Sequence, residues 1–189
     1  NITYDVAYVG DDVVLTVNAP VQFNNVNFTV VVEGKEYDVL MVNGKGNFTV
    51  VDLVFGIHDV VINTVDNKYF VSKTIIDSFN VIRKTPVFNI TDIPEFIYVN
   101  GEFTVKVVNN LAGDAVISLF VDGVKVVEQL YSNNTFIIPG LSSGNHVITA
   151  SFDGNDYYNA NSNSTRVGVL KLDSFVNVSA DNIDVGENL

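Results

Sequence analysis

Apolar and polar side chains alternate in short runs along this chain, and turn-forming residues separate one run from the next. A side-chain period of two predicts β-strands, because successive side chains of a strand point to opposite faces of a sheet. Seven such runs in about 85 residues are typical of an antiparallel sandwich of two sheets. The runs of the first half are 1–8, 13–18, 27–33, 37–42, 47–51, 57–63 and 72–82.

The second half of the chain repeats this pattern. Its runs are 102–109, 116–121, 125–131, 135–138, 146–152 and 165–172. The fifth run has one face that we assign to the interior, because strand residues two apart share a face. That face consists of His146, Ile148, Ala150 and Phe152.

A set of anchor residues recurs 88 positions later with no insertion between its members. The pairs are Phe48 and Phe136, Val50 and Ile138, Leu53 and Leu141, Gly56 and Gly144, His58 and His146, Asn67 and Asn155, and Tyr69 and Tyr157. A period of this length fits one small domain per repeat rather than a short solenoid unit. The chain is therefore predicted to be a tandem array.

The repeat starts define the predicted domain organisation. Asn1, Asn89 and Asn177 lie at equivalent positions, each 88 residues from the next. We predict an all-β chain of two tandem immunoglobulin-like antiparallel sandwiches, over residues 1–85 and 86–173, with an incomplete third repeat over 174–189. The seam at 83–86 contains a proline and no Gly-Ser tract, so we expect limited bending between the domains.

Composition excludes several classes of function. Ten Lys and Arg against 22 Asp and Glu give a net charge of −12, which repels phosphate backbones, so we expect no nucleic-acid partner. No apolar run approaches the roughly 18 residues that span a membrane, so we expect no membrane span in this segment. The chain has no cysteine, which excludes disulfides and thiolate metal sites.

Asn-x-Ser/Thr sequons are frequent in this chain. They are acceptors for N-glycosylation if the chain is exported in a host with the necessary enzymes. In a chain this rich in asparagine, several also arise by chance. The seven sequons begin at Asn1, Asn27, Asn47, Asn89, Asn133, Asn163 and Asn177.

One recurring pattern resembles a known family. It consists of a leucine, a glycine, an aromatic position, alternating apolar residues and an Asn/Asp-rich turn that ends in tyrosine. In the second half it comprises Leu141, Gly144, His146, Ile148, Phe152 and 153–157, after Lys84, Pro86, Gly101 and Glu102. This resembles Ig-like repeats of bacterial and archaeal surface proteins, above all the adhesin-like proteins of methanogenic archaea. The family usually has tyrosine where this chain has its two histidines.

The two histidines, His58 and His146, are the obvious candidates for chemistry. Each is the single histidine of its repeat, and one histidine lacks the convergent ligands that a metal site needs. We therefore predict a structural corner, in which the ring packs inward and an N–H group donates to a nearby backbone carbonyl. The predicted corner residues are His58, His146, Leu53, Leu141, Gly56 and Gly144.

A nucleophile-elbow pattern occurs over residues 140–144, just before His146. That motif requires a strand that turns sharply into a helix below a parallel sheet. The first repeat has no serine at the equivalent positions 52–56. We therefore interpret the segment as a corner between sheets and expect no catalytic residue.

An acidic turn in the second repeat resembles part of a calcium loop. Its oxygen-bearing residues are Asp153, Asn155 and Asp156. The closing bidentate glutamate of such a loop is absent, and the first repeat has Lys68 where a second carboxylate would be needed. A turn held by asparagine side-chain bonds is the favoured interpretation, with calcium as the alternative.

Paired aromatic residues follow this turn in both repeats and are candidates for sugar binding. Because Tyr69 and Tyr157 recur at the repeat spacing, we expect them to close the core. Phe70 and Tyr158 are then the candidate surface contacts for carbohydrate.

Two classes of function follow from this sequence. The first is a non-catalytic segment of a large extracellular adhesin-like protein, a semi-rigid stalk with weak adhesive contacts of its own. Its partners would be other cells and cell-wall or surface glycans, met through the full-length protein. The second is a spacer or carbohydrate-binding accessory module of a secreted enzyme. Under either hypothesis we expect a monomer with no cofactor.

Overall fold

A computed structural model describes residues 1–179 of the chain. Sixteen β-strands and no helix occur in this range. The strands are β1 (Ile2–Thr3), β2 (Ala7–Tyr8), β3 (Val13–Asn18), β4 (Val26–Val32), β5 (Lys35–Met41), β6 (Lys45–Val50), β7 (Gly56–Asn63), β8 (Thr74–Ile82), β9 (Phe88–Thr91), β10 (Ile97–Tyr98), β11 (Phe103–Asn109), β12 (Val116–Val121), β13 (Val124–Leu130), β14 (Thr135–Ile138), β15 (Gly144–Phe152) and β16 (Asn161–Leu170).

Strands β1 to β8 form the first unit, which has two sheets. One sheet has the order β1-β3-β6 and the other has the order β2-β8-β7-β4-β5. All pairings are antiparallel except that of β2 with β8, where Ala7 lies opposite Val81. The opening strand therefore crosses from one sheet to the other between β1 and β2. This topology is that of an immunoglobulin-like sandwich.

The hydrophobic core of the first unit lies between its two sheets. Leu15 comes from the smaller sheet, Phe28 and Phe79 come from the larger one, and all three are almost completely buried. Residues of β3 alternate between buried and more exposed positions, as the period-two pattern predicts. Burial of these large side chains is the main favourable term for folding, at about 25 cal/mol for each Å² of apolar surface removed from water.

Strands β9 to β16 form the second unit with the same topology. Its sheets have the orders β14-β11-β9 and β10-β16-β15-β12-β13, and β10 is again parallel to β16. Phe136 and Ile138 from one sheet meet Ile117 and Ile148 from the other in a separate core. The predicted fold class, two tandem immunoglobulin-like sandwiches, is therefore confirmed.

The structure differs from the predicted strands in a few places. The predicted strand 1–8 is two short strands in different sheets, and the second half has β9 and β10 before its first predicted run. Strand β16 begins at Asn161 rather than at residue 165, because Phe152 of the neighbouring strand pairs with Asn161. That polar start has no apolar alternation, so only the tertiary pairing identifies it as a strand.

The predicted third repeat lies mostly outside the described residues. Residues 174–179 contain no strand, and Phe175, Val176 and Val178 are highly exposed. The domain limits 1–85, 86–173 and 174–189 stay a prediction. No helix in the described part of the chain is long and apolar enough to cross a membrane.

Candidate functional site

The histidine of the first unit lies near the start of β7, beside the corner between β6 and β7. His58 is only 3% exposed, and its ring stacks on Phe79 with the ring centroids 5.4 Å apart. Its Nε2 atom donates to the Val54 carbonyl oxygen at 2.8 Å. Its Nδ1 atom lies 2.7 Å from Oε1 of Glu33 in the turn between β4 and β5. The histidine therefore ties the corner to that turn.

The second unit has the same arrangement around His146. Its Nε2 atom donates to the Ser142 carbonyl oxygen at 2.9 Å, and its Nδ1 atom lies 2.6 Å from Oδ2 of Asp122. The other carboxylate oxygen of Asp122 accepts the Val147 N–H at 2.8 Å. Both ring nitrogens face oxygens that accept hydrogen bonds, and the imidazolium form supplies both donors.

These contacts shift both protonation equilibria in the second unit. The Val147 N–H, and then the ring of His146, hold the pKa of Asp122 below its usual value. The carboxylate of Asp122, and then the Ser142 carbonyl, raise the pKa of His146. Each shift favours the charged form of its group, so the pair is an ion pair at mildly acidic pH.

The other predicted corner residues lie around the two histidines. Leu53 is buried in the first core, and Leu141 is half-buried against the second. Gly56 and Gly144 have φ values of 136° and 135°, which L side chains rarely adopt. The backbone conformation alone thus requires glycine at both positions.

The carboxylates Glu33 and Asp122 were missed by sequence reasoning. Each precedes a glycine, Gly34 or Gly123, in a two-residue hairpin turn where both central residues have positive φ. The recurrence of an acid-glycine pair 89 residues apart was the available signal. Nothing local, however, shows that these turns lie against the histidines.

The nucleophile-elbow pattern occupies the corner between β14 and β15. Ser142 contributes its backbone carbonyl to His146, and no helix follows the segment. The structure therefore lacks the strand-to-helix turn on which that motif depends.

The Asn/Asp-rich turns of the two units have the same hydrogen bonds. The Asn155 side-chain oxygen accepts the N–H groups of Tyr157 and Tyr158, each at 2.9 Å. The Asn67 side chain does the same for Tyr69 and Phe70, at 2.8 and 3.0 Å. Both turns are therefore organised by asparagine side chains.

These turns overturn the expected orientation of the paired aromatics. Tyr69 is 73% exposed and Tyr157 is 54% exposed, so neither closes a core. Phe70 instead stacks on Phe23 with centroids 4.4 Å apart, and Tyr158 packs against the second core. In each turn the first aromatic therefore points outward and the second packs inward.

The calcium candidates Asp153, Asn155 and Asp156 lie in the second of these turns. The oxygen of Asn155 already accepts two backbone N–H groups. Within residues 1–179, no group of three His, Cys, Asp or Glu side chains could hold a metal ion. The geometry is that of an asparagine-held turn.

The sequon asparagines differ in how their side chains are used. Asn1, Asn27, Asn47, Asn89, Asn133 and Asn177 are exposed. Asn163 is half-buried, and its side-chain nitrogen donates to the Phe88 carbonyl oxygen at 2.8 Å. The neighbouring Asn161 donates to the Pro86 carbonyl oxygen at 2.6 Å. Two side chains of β16 thus hold the segment that leads into β9.

The connection between the units is fixed at Lys84. Its N–H donates to the Tyr157 carbonyl oxygen, and its carbonyl oxygen accepts the Asn159 N–H, each at 2.9 Å. Its ammonium group lies 2.7 Å from Oδ1 of Asp11, in the turn between β2 and β3. Lys84 is therefore bound by its backbone to the second unit and by its side chain to the first.

Comparison with known proteins shows likeness in structure but not in sequence. No family model and no curated protein matches the chain. Fibronectin(III)-like modules of Clostridium thermocellum CbhA superpose with a TM-score of 0.44 at 13% identity, covering 95% of this chain and 100% of that one. For the amphioxus IgVJ-C2 molecule the TM-score is 0.39 at 10% identity, covering 87% of this chain and 99% of that one. For a 1.5-MDa bacterial ice-binding adhesin it is 0.35 at 18% identity, covering 90% and 64%.

Proposed function

We propose that this chain is a non-catalytic stalk segment of a large adhesin-like protein of the cell surface. In this proposal the immunoglobulin-like units hold a distal binding region away from the cell and add weak contacts of their own. The resemblance to adhesin-like proteins of methanogenic archaea, carried by the pattern from Leu141 to Tyr157, motivates both the surface location and the archaeal origin. The partners would be other cells and surface glycans, and the chain would act as a monomer.

The observation that carries the proposal is the set of contacts made by Lys84 between the two units. Three contacts converge on this one connecting residue, two through its backbone and one through its ammonium group. A connection of this kind limits bending, in contrast to a flexible linker. Units of the same fold joined by a restrained connection are suited to spanning a distance.

The alternative is a spacer or carbohydrate-binding accessory module of a secreted enzyme. Exposed Tyr157 at the junction favours it, since a protruding aromatic ring suits contact with a sugar. Neighbouring repeats in the full-length chain would support the stalk, whereas a hydrolase domain beside this segment would support the accessory module.

Small-angle X-ray scattering tests the stalk directly. We expect an elongated particle about twice the length of one immunoglobulin-like domain, with a narrow distribution of shapes. A matched variant with a Gly-Ser tract inserted between Arg83 and Lys84, which leaves Lys84 bonded to the second unit and separates it from the first, should broaden that distribution. A compact particle, or no difference between the two proteins, would contradict a restrained rod.

A glycan and cell-surface binding screen separates spacing from adhesion. The fragment would be compared with the full-length protein on the same surfaces. Binding by the parent and not by the fragment would make these units spacers. Binding by the fragment would add an adhesive role to the stalk.

A further inference from the structure

A cleft of about 430 Å³ lies where the two units meet. The first unit and the connecting segment contribute Gly10, Asp52, Phe55 and Arg83, together with neighbouring residues of the corner between β6 and β7. The second unit contributes two consecutive residues of its asparagine-held turn, Asp156 and Tyr157. A volume of this size is within the range of about 300–1,000 Å³ that is usual for small-ligand sites.

Aromatic rings form two of the walls of this cleft. Tyr157 is about half exposed, although one edge of its ring is near Gly10, where an added methyl group would lie 3.5 Å from Cε1. Phe55 is also about half exposed, and the Arg83 guanidinium covers it at 4.1 Å from the ring centroid. The open face of Tyr157 is thus a flat apolar surface inside a polar rim.

The polar groups that line the cleft include both acceptors and donors, and this combination suits a ligand rich in hydroxyl groups. Asp52 and Asp156 offer carboxylate oxygens as acceptors, and Arg83 offers N–H donors. The Nε atom of Arg83 is buried and has no hydrogen-bond partner among the described residues. A buried donor without a partner is costly, so a small movement of the Arg83 side chain that brought this N–H to a ligand oxygen would be favoured.

The balance of charge favours a neutral ligand. Two carboxylates and one guanidinium leave the cleft with one net negative charge, in a chain with a net charge of −12. Acidic sugars and phosphates would be repelled. A basic peptide would meet the like charge of Arg83 in the same cleft. A neutral ring with an apolar C–H face and outward hydroxyls meets both the aromatic and the polar walls.

We propose that this cleft binds the pyranose ring of a neutral glycan, stacked on Tyr157, and that the site exists only where two consecutive units meet. This deepens the proposed function, on which it rests, by assigning the weak adhesive contact to the junction rather than to Phe70 and Tyr158. The ring would stack its C–H face on the tyrosine. Its hydroxyls would bond Asp52, Asp156 and Arg83.

The test is an NMR titration of the whole chain with neutral hexasaccharides of glucose, mannose, galactose and N-acetylglucosamine. A site with one aromatic platform should bind with a dissociation constant near the millimolar range, so concentrations up to about 10 mM are needed. We expect amide shifts confined to the junction for at least one of these sugars. A hexasaccharide of galacturonic acid and a lysine-rich peptide serve as charged probes.

Variants locate the site. Tyr157→Ala should weaken binding at least tenfold, and Tyr157→Phe should retain most of it, because the ring face is unchanged. Tyr69→Ala is the matched control, since Tyr69 occupies the same turn of the first unit and does not line the cleft, and it should bind normally. A Gly-Ser insertion between Arg83 and Lys84 leaves both walls intact but separates them, because Lys84 stays bonded to the second unit while Arg83 stays with the first, so it should abolish binding.

Several outcomes would overturn the proposal. They are the absence of shifts with all four neutral sugars, unchanged binding by Tyr157→Ala or by the insertion variant, and binding of only the lysine-rich peptide or only the acidic sugar. Scattering on the same samples separates the two proposals. An elongated particle that binds no sugar would contradict the glycan site and support the stalk. A compact particle that binds sugar would contradict the stalk and support the glycan site.

Discussion

The two histidine corners are copies of one design in different surroundings. His58 faces Phe79 across the strand pair and is almost completely buried, whereas His146 faces Val167, and 12% of its side chain is exposed. The larger side chain of Phe79 therefore covers His58 more completely than Val167 covers His146. The carboxylate of the second corner belongs to the shorter Asp122. It accepts the Val147 N–H and also contacts the ring, which adds a hydrogen bond to that corner.

Both units therefore keep the contact between the histidine corner and the hairpin turn, but they stabilise it with different interactions. In both units the ring joins the corner before β7 or β15 to a hairpin turn, through Glu33 in one and Asp122 in the other. At the histidine corner, the first unit depends more on packing, and the second depends more on charge and hydrogen bonds. The predictions below test that division, beginning with the largest effect.

The aromatic anchor of β6 and β14 should show the greatest cost. Phe136→Ala should lower the free energy of unfolding of the second unit by about 3–5 kcal/mol, because the ring is completely buried and leaves a cavity. Phe48→Ala, its counterpart, should cost less because Phe48 is 9% exposed. The measurement is urea unfolding followed by NMR amide signals of each unit. An equal loss in both units would contradict a difference in packing.

Removal of each histidine compares the corners directly. His58→Ala should destabilise the first unit by about 2–3 kcal/mol, because it leaves a cavity beside Phe79 and an unpaired Val54 carbonyl. His146→Ala should cost the second unit roughly half as much, since that ring stacks on no aromatic residue within 1–179 and is partly exposed. The same urea series measures both. A larger loss from His146→Ala would reverse the assignment of packing and charge.

The pH dependence of the second unit follows from its two shifted groups. The raised pKa of His146 adds stability that is complete below about pH 6.5 and is lost as the pH rises through the folded-state pKa. The lowered pKa of Asp122 adds stability that is present above about pH 4 and is lost as the pH falls through its folded-state pKa. The pair therefore contributes most between about pH 4 and 6.5.

This window can be measured from urea midpoints of the second unit between pH 3 and 9. Asp122→Asn is the control, since it removes the carboxylate but keeps a side chain of the same shape. Its midpoint should fall less steeply above the pKa of His146 than that of the native chain. Parallel curves for the two proteins would show that the ion pair does not contribute.

The smallest effect on stability is expected at the junction. Lys84→Ala should change unfolding by no more than about 1 kcal/mol, because both partners of the Lys84–Asp11 ion pair are partly exposed. It should nevertheless broaden the range of orientations between the units in residual dipolar couplings. Lys125→Ala removes an exposed ion pair with Glu128 inside the second unit and should leave those orientations unchanged. Equal effects of the two variants would remove the special role of Lys84.

The sequence was sufficient for the fold because the strands and their inner faces are encoded locally. Alternation over 13–18 and 146–152 predicted the strands whose buried residues now form the two cores. The position of His146 on its strand, two residues before buried Ile148, was also readable from that period. These features depend on neighbours in the chain.

The candidate sites were less predictable because they depend on contacts between distant segments. Glu33 and Asp122 reach their histidines across 25 and 24 residues of sequence. The repeat of Tyr69 and Tyr157 showed that the position mattered, but recurrence does not distinguish a core residue from a surface residue. Only the asparagine-held turn determines which aromatic points outward.

The hydrogen bond of Asn163 in β16 has a consequence for N-glycosylation, because it forms only when β9 and β16 have come together. Asn163 gives its amide nitrogen to the Phe88 carbonyl, and that nitrogen is the atom to which an N-linked glycan is attached. In a host that modifies these sequons, a glycan could be added at Asn163 only before β9 reaches its place beside β16. The sugar would then crowd the contact between the two sheets, so the occupancy of this sequon would show whether modification or folding of this segment came first.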